Sequence, residues 1–173
     1  AGVAHRTLLF SRNDVEGPDA SRLPENSRSR IRHEYLHLVD DMLGKGGGYF
    51  SEEIGRAIVR TVAEQLYPGQ DIPLDENGVT VTWPDRGRDN RIEELFSERR
   101  FLVDSGSDSG GLPGHPSDNV RELFVSIMNC YLDPRFEASV RRMSSKGAEV
   151  ASLYRGVVRM VNERVSELGR IKY

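Results

Sequence analysis

His33-Glu34-Tyr35-Leu36-His37 lies inside a run whose spacing predicts one helix from Ser27 to Leu43. The two histidines are four residues apart, so a helix sets them one turn apart on the same face. Whatever packs there must satisfy two imidazoles, which constrains the fold more than any other feature of the chain. Ile31, Tyr35, Leu38 and Met42 are spaced for an apolar stripe on the same helix, predicted to face the core. Gly44-Lys45-Gly46-Gly47-Gly48 should end it, because glycine readily takes the left-handed turn after a helix C-terminus.

The rest of the chain also reads as mainly helical. Thr7 to Ser11 is a short apolar run expected to be a strand, followed by a polar loop through Asn26. Ser51 is the expected cap of a second helix whose apolar face is Ile54, Ile58, Val62 and Leu66, ended by Pro68-Gly69. Val79 to Trp83 alternates and is β-branched, which predicts a strand or hairpin arm. Asp89 to Phe101 predicts a third helix. Residues 104–116, rich in Gly and Ser, read either as a linker or as a flexible loop beside a site. Ser117 should cap a helix running to Tyr131, with Val120, Leu123, Phe124, Ile127 and Met128 facing a core. Helical sequence resumes at Pro134, breaks near Ser144 to Gly147 and runs to about Leu168.

A chain of 173 residues is the size of one domain and can bury a core without disulfides. The expectation is therefore a single domain over 1–173. The absence of an initiator Met at Ala1 leaves room for a trimmed piece of something longer. With 24 basic and 27 acidic residues the net charge is −3, too balanced for nucleic acid as a bulk partner. No apolar run approaches the roughly 20 residues that cross a bilayer, and nothing at the N-terminus reads as a signal peptide. The single cysteine, Cys130, excludes an intrachain disulfide and a cysteine-based zinc site, and suits a reducing compartment. A monomer is expected.

Two neutral imidazoles from one helical face bind a single Zn²⁺ together. Glu34, next to His33, projects beside such an ion rather than onto it. There a carboxylate can take a proton from an activated water and later deliver it to a leaving amine. A catalytic zinc takes three protein ligands and keeps one position open. The candidates for the third are Asp40, Asp41, His115, Asp118 and Glu122. Asp40 is also placed to back a ligand histidine as a hydrogen-bond acceptor. Asp41, continuing the same helix, closes a tetrahedral site poorly. Asn119, Glu122, Ser126 and Asn129 form a polar stripe that needs a partner if its helix packs inward, which favours Glu122. A solvated surface Glu remains the plain alternative.

The stretch HEYLHLVDDMLG at 33–44, followed downstream by Asn119-Val120-Arg121-Glu122-Leu123-Phe124-Val125-Ser126, resembles a family of gluzincin metallopeptidases. That family includes the catalytic domain of anthrax lethal factor and the secreted Pro-Pro endopeptidases. The resemblance spans roughly residues 33–140, at the level of motifs. It implies that His33, His37 and Glu122 are zinc ligands and that Glu34 is the general base. The family carries a Tyr seven residues before the ligand Glu to steady the developing oxyanion. His115 stands there in this chain and can donate the same hydrogen bond, with Tyr49 and Tyr131 as alternatives. Ser126 stands where the family tends to have a second Glu. Only 32 residues precede the motif, little room for the upstream sheet of the family's substrate cleft.

The expected fold is mainly α with a small β element (α+β), a compact zincin-like metallopeptidase domain. The expected function is a zinc-dependent endopeptidase that cuts a protein substrate. The resemblance further implies a bacterial toxin or effector, secreted or translocated into a host cell. Two other readings stand beside it. One is a non-catalytic interaction module that docks through Val150, Leu153, Val157, Val161 and Val165. The other is a zinc-bound pseudoenzyme. Trp83 with Arg86, Arg88 and Arg91 offers either an exosite or a solvated loop.

Overall fold

Helix α1 spans Glu25–Leu43, and the turn after it carries Gly46 at φ 65° and Gly47 at φ 86°. These are left-handed values that a side chain resists, so the glycine run ends the helix as expected. The computed structural model describes residues 25–85, 90–102, 115–143 and 147–170. The strand expected at Thr7 to Ser11, the basic positions Arg86 and Arg88, and nearly all of the 104–116 loop lie outside the described residues.

Six helices follow: α2 (Phe50–Leu66), α3 (Arg91–Phe96), α4 (Glu98–Phe101), α5 (Val120–Tyr131), α6 (Phe136–Arg142) and α7 (Gly147–Arg170). Helix dominates the described residues, which hold no strand. The arm predicted at Val79 to Trp83 is reduced to one antiparallel bridge, Leu74 to Val81, around a turn in which the Asp75 carboxylate accepts from Val79 N–H. Its alternation survives as burial, with Val81 and Trp83 both in the core. Trp83 packs beside Tyr67, so it does not present an exosite.

The predicted third helix breaks at Ser97, whose ψ of 127° is extended. Asn90 caps α3 by accepting from Ile92 N–H. The break gives Glu98 a fresh helical start and turns its side chain inward, where it is fully buried.

Helix α5 is the axis of the molecule. Every residue from Leu123 to Cys130 is buried, and the helix touches α1, α2, α3, α4 and α7. Its cap is Asn119 rather than Ser117: the Asn119 side chain accepts from Arg121 and Glu122 N–H, while Ser117 bonds to Glu93. Val120 N–H donates to the Val79 carbonyl, which anchors the start of α5 to the bridge segment. Gly55 on α2 faces Val120 so closely that a Cβ there would lie 3.1 Å from a Val120 methyl.

On α2, Ile58 and Val62 are fully buried, with Ile54 and Leu66 packed at the edge of the core. On α7, Val150, Leu153, Val157 and Val161 are buried and only Val165 is exposed. The face considered for docking is therefore part of the core.

Helix α1 departs from its predicted orientation. Tyr35 and Met42, from the expected core stripe, are 55% and 61% exposed. The buried residues are instead Ser29, His33, Leu36, Asp40 and Leu43. Polar contacts with α2, α4 and α5 outweigh the apolar stripe in setting the rotation of this helix.

Candidate metal centre

The polar stripe of α5 meets the inward face of α1. His33 Nε2 lies 3.4 Å from one Glu122 oxygen and His37 Nε2 lies 3.4 Å from the other. One ligand atom from each of the three residues can be chosen so that all lie within 4.8 Å of one another. The two imidazoles stand edge to face, with centroids 5.0 Å apart. A tetrahedral ion with bonds of about 2.0–2.1 Å would separate its ligand atoms by roughly 3.3 Å. The two histidine–glutamate spacings are close to that value. Two imidazoles and one carboxylate are also the donor set of a catalytic zinc, so the residues fit the ion.

Local sequence explains each placement. The four-residue spacing aligns the histidines on α1, and the Asn119 cap starts α5 so that Glu122 falls in its first turn, facing α1. Arg121 turns the other way, to Glu52 and over the Tyr49 ring.

The electrostatics favour positive charge at this point. Burial opposes a charge on His33, but hydrogen bonds to Glu122 and Glu98 outweigh it and push its pKa up to about 9. Burial likewise opposes the Glu122 carboxylate, yet bonds from His33 and His37 hold it well below the usual carboxylate range.

Behind His33 is a contact that the sequence did not announce. Its Nδ1 lies 2.9 Å from Glu98 Oε1, which also accepts from Asn129 Nδ2 at 3.0 Å. Asn129 further donates to the Ser29 carbonyl and accepts from Arg32 Nε, and Arg32 pairs with Asp133. Glu98 Oε2 and Ser126 Oγ are buried with no hydrogen-bond partner among the described residues. Glu98 sits between charged neighbours in Glu93-Glu94 and Arg99-Arg100, so its sequence context reads as a solvated helix. The only hint was Ser97, a residue that favours helix starts.

The remaining candidates take other places. Glu34 is half-buried on α1, one position after His33. Asp40 does not back His37. Its two oxygens accept from the backbone N–H and the hydroxyl of Ser51, both at 2.6 Å, and so satisfy the start of α2. Burial raises its pKa in spite of those donors. His115 and Asp118 are exposed at a turn closed by Asp118 N–H to the His115 carbonyl, and neither joins the three converging residues. Tyr131 packs on Phe136, while the half-buried Tyr49 ring lies 3.8 Å from the guanidinium of Arg121.

Set against protein-family models, curated proteins and solved structures, the chain matches none.

Proposed function

We propose that the chain is a zinc-dependent endopeptidase in which His33, His37 and Glu122 hold the ion and Glu34 is the general base. The observation that carries the reading is the convergence of three ligand-type side chains from α1 and α5, with Glu34 next to one of them. When bound, Zn²⁺ polarises a carbonyl and lowers the pKa of water towards roughly 7. The carboxylate of Glu34 holds the proton taken from the attacking water and passes it to the leaving amine. Glu34 is half-buried, so it keeps access to solvent. For the oxyanion donor the resemblance points to His115, which stands outside the three converging residues, with Tyr49 and Tyr131 as the alternatives. The resemblance to lethal-factor-type gluzincins points the same way for all four principal residues.

The test pairs metal content with cleavage. Wild type should carry close to one zinc per chain, and His33→Ala should lose it. A peptide library incubated with wild type should yield new N-termini that Glu34→Gln does not produce. Failure to take up zinc at neutral pH would sink the reading.

A further inference from the structure

We propose that Glu98 is a positioning residue of this centre: held by Asn129, it fixes the His33 ring so that Nε2 faces the space between His37 and Glu122. The inference rests on the metal-centre reading. A neutral imidazole has one N–H and one lone pair, and a hydrogen bond at one nitrogen decides which nitrogen is left for a metal. Here Nδ1 is 2.9 Å from Glu98 Oε1, and Nε2 is 3.4 Å from Glu122. The ring therefore bridges a buried acceptor and the ligand cluster.

Glu98 is itself fixed. Asn129 Nδ2 donates to the same Oε1 while Asn129 Oδ1 accepts from Arg32 Nε. Turning that amide over would set its oxygen against the Glu98 carboxylate and its NH₂ against the guanidinium, so only one orientation satisfies both neighbours. A buried carboxylate costs free energy unless it is paired. With Oε2 lacking a partner among the described residues, Glu98 has His33 and Asn129 as its hydrogen-bonding compensation. A cation held by His33 adds to it, because metal binding makes the Nδ1–H a stronger donor. Outer acceptors of this kind typically contribute about 10–100-fold to metal affinity.

The experiment compares wild type, Glu98→Gln and Glu98→Met. Gln keeps the shape and an acceptor oxygen, and Met keeps the bulk with no acceptor. Zinc affinity is read by chelator competition, the ligand field by the visible spectrum of the cobalt(II)-loaded chain, and folding by the circular dichroism of the metal-free chain. With native-like helicity throughout, Gln should weaken zinc by a few-fold and shift the cobalt bands, and Met should weaken it by about 10–100-fold. Glu98→Gln with wild-type affinity and wild-type cobalt spectrum would overturn the proposal, and that arm decides even if the Met chain does not fold. Equal affinities for Gln and Met would also overturn it. Wild type that binds no zinc would instead overturn the metal centre itself, a result visible before any variant is compared.

Discussion

Glu34 and Glu122 are both glutamates close to two histidines, yet their surroundings separate their roles. Glu122 makes close contacts with both rings, and its carboxylate is held ionised by them after burial has been overcome. It is therefore suited to bind a cation at rest. Replacing it with Ala should remove the third ligand and weaken zinc binding by at least about 100-fold, measured by chelator competition. A full zinc complement in Glu122→Ala would move the ligand to another residue. Glu34 is adjacent in sequence to His33 but is not one of the converging three. Glu34→Gln should keep one zinc per chain and lose about 10²–10⁴-fold in cleavage rate. Cleavage at the wild-type rate would dismiss it as the base. The shared face of His33 and His37 was legible because spacing on a helix is a local property, whereas Glu122, which the structure brings beside them, was singled out from Asp40, Asp41, His115 and Asp118 by its polar stripe and by the resemblance. Glu98 was not legible, because its inward aim depends on a break at Ser97 that leaves no periodic trace.

At the scale of elements, the periodicity of α5 and α2 identified their apolar buried faces, because those side chains do enter the core, although α5 also buries the polar side chains of Ser126 and Asn129. It failed for α1, where the apolar stripe through Tyr35 and Met42 lost to a polar face satisfied by Glu98, Asn129, Glu122 and Ser51. A hydrophobic pattern reports what a helix can bury. It does not report which buried polar partners wait on neighbouring helices. Asp40 illustrates this: the sequence offered it as a third ligand or as an acceptor backing a ligand histidine, and the structure sets it at the start of α2, accepting from Ser51. Asp40→Ala would leave the Ser51 N–H and hydroxyl buried without that acceptor, at a cost of about 1–3 kcal/mol. Urea denaturation of the metal-free chain should show that loss. Unchanged stability with weakened zinc binding would return Asp40 to the metal site.

For the molecule as a whole, α1 with His33 and His37 and α5 with Glu122 must be held in register from opposite ends. Glu122 lies in the first turn of α5, and Asp133 lies just beyond its last, where it receives Arg32 from α1 and Arg135. The pair thus pins α1 at a point adjacent to His33. Burial pushes the Asp133 pKa up, but the bonds from Arg135 and then Arg32 prevail and hold it below the ordinary 3.8. A depressed folded pKa means that the unfolded chain takes up the proton first as pH falls. The stabilisation is therefore whole above about 4 and is lost as pH drops through the lower folded value. Asp133→Asn should cost on the order of 1–3 kcal/mol at pH 7, because it leaves Arg32 with a weaker acceptor. The difference from wild type should shrink as pH falls below about 4, because the unfolded chain's Asp133 takes up its proton before the native one does. Denaturation midpoints of both chains across pH 2–7 would check this, and a gap that stayed constant down to pH 2 would mean that the Arg32 contact does not depend on the charge of Asp133.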